Sequence, residues 1–170
     1  MVVVEEYQDR NKTMKTFSQF IFEAALGDNP INWTKPNADS EHDEILHQHK
    51  SHEDDKKNGG SGIFPDWVAE RLGKLRDKKE WHRAISRGKV TTMTRRDVAK
   101  SGNSYQSWSK VEPDAKKRRA PTLYRPGKKV ERPIYLRHPE TGEMHLVSGA
   151  HRSAYVTDVM KRPIQAHVIE

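Results

Sequence analysis

In Leu146-Val147-Ser148-Gly149-Ala150-His151-Arg152 a histidine and an arginine follow a glycine, and these residue types at this spacing suit the binding of a phosphate group. The apolar pair before Ser148 and the run after Arg152 read as a strand, a tight turn and the start of a helix. A helix start leaves backbone N–H groups unpaired and carries a partial positive charge, and glycine lets a ligand approach the main chain. Ser148, Gly149, Ala150 and Arg152 are therefore the candidate phosphate-binding residues, with the amides near Gly149 and Ala150 meeting phosphate oxygens and Arg152 neutralising their charge. His151 is the candidate catalytic residue, as hydrogen-bond donor or general acid/base. The same residues also read as a turn glycine followed by a solvated imidazole and guanidinium, since a strand-turn-helix needs no ligand to exist. No acidic residue is singled out for chemistry: Glu131, Glu140, Glu143 and Asp158 are all merely near in the chain.

The flanking residues supply elements able to hold this turn. Ile134 and Leu136 alternate with Tyr135 and Arg137, Pro139-Glu140-Thr141-Gly142 has turn composition, and Met144 and Leu146 resume the alternation, which predicts a hairpin. Ala150, Ala154, Tyr155 and Val159 fall at helical spacing up to Met160, and Pro163 stops that helix before Ile164, Ala166 and Val168 alternate in a final strand.

Arg132-Pro133-Ile134-Tyr135-Leu136, then Leu146 to Arg152, then Arg162-Pro163-Ile164-Gln165-Ala166-His167-Val168 follow one another in an order that resembles the C-terminal half of the ParB/sulfiredoxin superfamily domain. The resemblance covers residues 132–170. It implies a small mixed sheet with surrounding helices, ATP or CTP bound with Mg²⁺ at the glycine turn, and activities that range over DNA partition, DNA cleavage, sulfinic acid reduction and phosphoryl transfer. Sulfiredoxin chemistry needs a cysteine where Ala150 stands, and the chain contains no Cys, so that reaction is excluded. Partition proteins usually carry Glu-Arg-Arg after the glycine, where this chain carries Ala150-His151-Arg152.

Only 33% of the 170 residues are hydrophobic and the mean hydropathy is -1.00, which predicts one modest core with part of the chain outside it. Lack of Cys excludes disulfides, thiolate metal sites and cysteine nucleophiles. No apolar run approaches membrane-spanning length and the first residues lack signal-peptide character, so the expectation is a soluble, cytoplasmic protein. Between Arg71 and Arg132 there are 20 Lys or Arg and six Asp or Glu, a surplus of 14, within an overall net charge of +7. Such a surplus attracts a phosphate backbone through counterion release, and Lys116, Lys117, Arg118, Arg119, Arg125, Lys128 and Lys129 are the candidate nucleic-acid contacts. Tyr105, Trp108 and Tyr124 lie among them and could stack on bases.

Thr16 to Leu26 reads as a short amphipathic helix with Phe17, Phe20, Ile21 and Ala24 on one face, closed by Gly27; core packing is its default role and a protein contact the alternative. Glu41 to His52 holds four of the nine histidines. Glu44 and His47 stand at a spacing used by carboxylate-histidine metal sites, but no second such pair occurs, and a flexible or frayed polar helix is the preferred reading. Lys56 to Gly62 reads as a linker. Pro65-Asp66 then opens a helix with Val68, Leu72 and Leu75 at i, i+4 and i+7, continued through Trp81 and Ile85 to about Arg87.

The resulting expectation is an α+β protein divided into residues 1–62, an N-terminal helix with a flexible acidic, histidine-rich linker, and a ParB/sulfiredoxin-like domain over 63–170. Its function would be nucleotide-dependent action on nucleic acid, as an NTP hydrolase or nuclease of a phage, plasmid or bacterial system. A non-catalytic DNA-binding or host-interaction module and a small-molecule kinase are the alternatives.

Overall fold

The alternating segments of the C-terminal third pair into the main sheet. The computed structural model describes residues 31–102, 108–110 and 128–170, and one compact unit runs from Asn32 to Glu170. Its elements are β1 (Asn32–Thr34), α1 (Ala38–Lys57), α2 (Asp66–Lys74), α3 (Lys78–Arg87), β2 (Lys89–Met93), α4 (Arg95–Lys100), β3 (Lys129–Glu131), β4 (Ile134–Arg137), β5 (Met144–Ser148), α5 (Ala150–Ala154) and β6 (Ile164–Ile169). This is the expected α+β class.

The main sheet has the order β2-β6-β4-β5. β5 lies antiparallel to β4, β6 parallel to β4, and β2 antiparallel to β6 along the outer edge. β1 and β3 form a separate parallel pair in which Thr34 stands opposite Glu131. The predicted hairpin and final strand are present. β1, β2 and β3 were not anticipated: β1 and β3 are three residues each, and β2 buries only Met93 and so lacks an alternating signature.

The expected single helix from Pro65 to Arg87 is two helices. Leu75 ends α2, and Asp77 starts α3 by accepting from the amides of Lys79 and Glu80 at 2.9 and 3.0 Å. That N-cap satisfies donors that a continuous helix would have paired internally, and it turns the chain between the two apolar faces. The predicted helix from Ala150 to Met160 is likewise interrupted, with α-helical geometry to Ala154 and a π-helical turn over Tyr155–Val159.

The largest correction concerns residues 38–57. They form a 20-residue helix that belongs to the core, so the compact unit begins well before the expected boundary at 62/63. The Asn37 side chain caps it by accepting from Asp39 and Ser40, acids occupy its first turn and Lys56 and Lys57 its last, all of which favour helix. Its buried stripe is Glu41, His42, Ile45, His49 and His52. Ile45 joins Val68, Leu72, Trp81, Ile85, Ile134, Leu136 and Val147 in one cluster. The imidazoles are tolerated there because they find partners: His42 Nε2 donates to the Arg76 carbonyl at 3.0 Å, and His52 Nδ1 accepts from the Phe64 amide at 3.1 Å. Trp81, fully buried, donates from Nε1 to the Ala38 carbonyl at 2.6 Å and so ties α3 to the start of α1. Gly62 is in the left-handed region with φ of 85°, and a Cβ there would stand 2.3 Å from the His52 ring, so this glycine is part of the packing and not of a linker. The predicted helix at 16–26 lies outside the described residues.

Candidate anion-binding site

Gly149 stands where β5 gives way to α5, directly after Ser148, which pairs with Ile134 at the start of β4. Its φ of 88° is left-handed, and a Cβ would lie 2.7 Å from Pro133 Cβ, 2.9 Å from Pro133 Cα and 3.0 Å from Arg152 Nε. Conformation and contact both require glycine here. The Gly149 carbonyl accepts from the Ser153 amide at 2.9 Å, which starts the helix and places Ala150, His151 and Arg152 in its first turn. Gly149, Ala150, His151 and Arg152 are half-buried and Ser148 is buried.

The side chains of this turn converge on Glu41, which reaches them from the first turn of α1. The Ser148 hydroxyl donates to Glu41 Oε2, and Arg152 Nη2 stands 3.0 Å from Glu41 Oε1. Arg152 Nη1 is 3.9 Å from Glu131 Oε2, the oxygen that also accepts from the Asn37 amide at 3.1 Å. Glu41 is 7% exposed and the Arg152 side chain 19%. A carboxylate is at home there, facing a guanidinium, accepting a hydroxyl proton and lying at the positive end of a 20-residue helix. Chemically the cluster offers a cation for phosphate oxygens, a hydroxyl, a nearly dry carboxylate and a glycine turn.

The structure thus brings Ser148 and Arg152 together on the carboxylate of Glu41 and places Glu131 beside Arg152. Glu41 is the residue that sequence reasoning missed. Only its place on the buried stripe of α1 could have signalled it, and that stripe is disguised by histidines. Of the other acids near in sequence, Glu140 and Glu143 are exposed in the hairpin turn, and Asp158 is held by Arg95 Nε at 3.1 Å and by the Trp108 amide at 2.8 Å.

Lys128 and Lys129 are exposed at the start of β3, whose end carries Glu131. Lys116, Lys117, Arg118, Arg119, Arg125, Tyr105 and Tyr124 lie outside the described residues. Trp108 packs edge-to-face on Tyr155 with ring centroids 5.0 Å apart. In the histidine-rich helix, exposed Glu44 accepts from Gln48 at 2.8 Å, and among the described residues no group of three or more His, Asp or Glu is arranged to hold a metal ion. Among the described residues no helix is long and apolar enough to cross a membrane.

Two buried imidazoles flank the sheet. His145 on β5 and His167 on β6 both have their protonation pushed below the ordinary histidine range, chiefly because burial disfavours the cation. His167 Nε2 donates to the Ile85 carbonyl at 2.9 Å, and the His167 amide donates to Pro133 at 2.8 Å, fixing the strand beside the turn.

No protein family, curated protein or solved structure matches the chain.

Proposed function

We propose that this protein binds a nucleotide through the Gly149 turn and acts on nucleic acid, in the manner of the ParB/sulfiredoxin type that its C-terminal sequence resembles. The observation that carries this reading is the convergence of Arg152, Ser148 and the carboxylate of Glu41 at a left-handed glycine that opens a helix. The donors present suit an anion, and a carboxylate already satisfies two of them, which is the chemistry a phosphate would share. Bound ATP or CTP with Mg²⁺ would supply the transferable phosphoryl group. On this reading the amides after Gly149 and the Arg152 guanidinium hold phosphate oxygens, and Glu41, released from Arg152, accepts the proton of the attacking hydroxyl or water. His151, next to Arg152 in the same turn, donates a hydrogen bond or a proton to the leaving oxygen.

Calorimetric titration of ATP and CTP with Mg²⁺ into the wild type, Arg152→Ala and His151→Ala tests it. Binding to the wild type is expected to weaken at least tenfold in Arg152→Ala, which removes a charge-assisted bidentate contact, while His151→Ala retains binding and lowers turnover. Absence of heat with both nucleotides refutes the reading. It would leave a second one, favoured by the fact that Glu41 already engages Arg152 and Ser148: a non-catalytic nucleic-acid-binding module in which an internal carboxylate stands in for the phosphate.

A further inference from the structure

The register of the main sheet puts Ser148 beside Ile134 at one end of β4 and leaves Arg137 at the other, where Leu136 lies opposite Ile169. Beyond that far end is a cavity of about 400 Å³ bounded by α2, α3, the start of β2 and the end of β6. Its rim carries Arg71 and Lys74 from α2, Arg83 and Arg87 from α3, and Lys89 from β2, against two acids, Glu80 and Glu170. Its floor is apolar, made by Leu75, Ala84, Val168 and Ile169. We propose that this cavity is a nucleic-acid site that grips the phosphodiester backbone without reading its sequence. The proposal deepens the nucleic-acid part of the function proposed above and is independent of nucleotide binding at Gly149.

Charge and composition carry the assignment. Five cationic side chains against two acidic ones make the cavity locally cationic, and they come from three elements. Arg71 and Lys74 are three residues apart and Arg83 and Arg87 four apart, so each pair lies along one helical face, roughly 5–6 Å between Cβ atoms. Two such rows meet a chain of phosphates better than one isolated phosphate. Four of the cations hold weak partners that phosphate oxygens can replace. Lys74 pairs with Glu70, Arg83 with Glu80 and Lys89 with Glu170, all with both side chains substantially exposed, and Arg71 donates to the main-chain oxygen of Glu170. Arg87 has no ion pair or hydrogen bond among the described residues other than those of its helix backbone. The lining contains no Asn, Gln, Ser, Thr or aromatic side chain, so the amides that read adenine and the rings that stack on bases are missing from it. The exposed cations of the rim meet phosphate oxygens, and the sugar faces rest on the apolar floor.

The test is fluorescence anisotropy with mixed-sequence DNA oligonucleotides over a salt series, using the full chain and its Lys74→Ala/Arg87→Ala variant. Each lost phosphate contact lowers the salt slope by about 0.9, which corresponds to about eightfold in affinity at 0.1 M salt. The double variant should thus bind about 60-fold more weakly, with a slope reduced by about 1.8, equally for oligonucleotides of different sequence. Its melting temperature should stay close to that of the wild type, since both side chains are exposed. The double variant should bind ATP as the wild type does in a parallel titration, which separates this site from the Gly149 turn. DNA binding with an unchanged slope in the double variant overturns the assignment, as does the absence of DNA binding. Polyglutamate bound as tightly as DNA and lost in the same variant overturns it too, by making the cavity a site for acidic peptides.

Discussion

Replacing Glu41 by Ala should unfold this protein more readily than its modest size suggests, because the carboxylate is the meeting point of α1 with the Gly149 turn. The substitution leaves the Arg152 guanidinium, 19% exposed, with only Glu131 at 3.9 Å among the described residues, and it deprives the buried Ser148 hydroxyl of its acceptor. Breaking a fully buried pair costs about 3–5 kcal/mol. Partial exposure of Arg152 and the remaining Glu131 reduce that, and the orphaned hydroxyl adds about 1 kcal/mol, so the expected destabilisation is about 2–3 kcal/mol. At about 4 °C per kcal/mol for a domain of this size, the melting temperature should fall by about 8–12 °C. Glu41→Gln keeps an acceptor for Ser148 and loses only the charge, so it should fall about midway. The decisive measurement is a double-mutant cycle in urea with Arg152→Met: the coupling should exceed about 1 kcal/mol, because the pair is close and partly dry. A Glu41→Ala protein within 0.5 kcal/mol of the wild type, with no coupling to Arg152, would refute the claim that these residues form one network.

Stability should also fall on mild acidification. His145 and His167 take up protons less readily folded than unfolded, so their contribution is complete above the unfolded value near 6.5 and is lost as the pH falls below it, by up to about 1.4 kcal/mol per pH unit for each; urea unfolding at pH 7.5 and 5.5 checks this, and equal stability at both would contradict it. Gly62→Ala should cost about 2 kcal/mol or more by calorimetry, because the new Cβ meets the buried His52 ring and φ is positive, whereas a true linker would tolerate or gain from the change. Removal of residues 1–31 should preserve a cooperative thermal transition, while removal of 1–61 should abolish it by deleting Ile45 and Glu41 from the core; a folded 62–170 fragment would restore the later boundary.

What could be read from sequence divides along local and non-local lines. The hairpin and β6 announced themselves because alternation and a proline-glycine turn are properties of neighbouring residues. The break at Asp77 was also local and could have been seen, for Asp77-x-x-Glu80 places an N-cap residue three positions before a glutamate. The same reading applies to Thr94 and Asp97, which form a reciprocal capping box at the start of α4. β1 and β3 had no such signature, since three residues give too little pattern and their pairing spans most of the unit. Glycine 149 and its neighbours were legible as a turn able to receive an anion, but the acid that completes the cluster lies 107 residues before Ser148.

The histidines explain why α1 was misread, and they point to a rule of packing in this fold. A scale that counts imidazole as polar finds almost no apolar face in Ala38–Lys57, yet Glu41, His42, Ile45, His49 and His52 are one stripe at helical spacing. A flat ring can be buried if a backbone group satisfies it and if the surface it lies on has no side chain in the way. Both are met at His52 and His167, and the second recurs at His145 and His49. A Cβ at Gly62 would strike His52 at 2.3 Å, at Gly88 it would strike His167 at 2.2 Å, at Gly102 it would strike His145 at 2.0 Å, and at Gly73 it would press on His49 at 3.3 Å. These glycines are thus seats for imidazoles, and each seat joins segments that no local pattern connects. This places Glu41 as well: with His42 tied to the Arg76 carbonyl and His52 held between Gly62 and the Phe64 amide, α1 is fixed at both ends, and its first turn presents a carboxylate to Ser148 and Arg152.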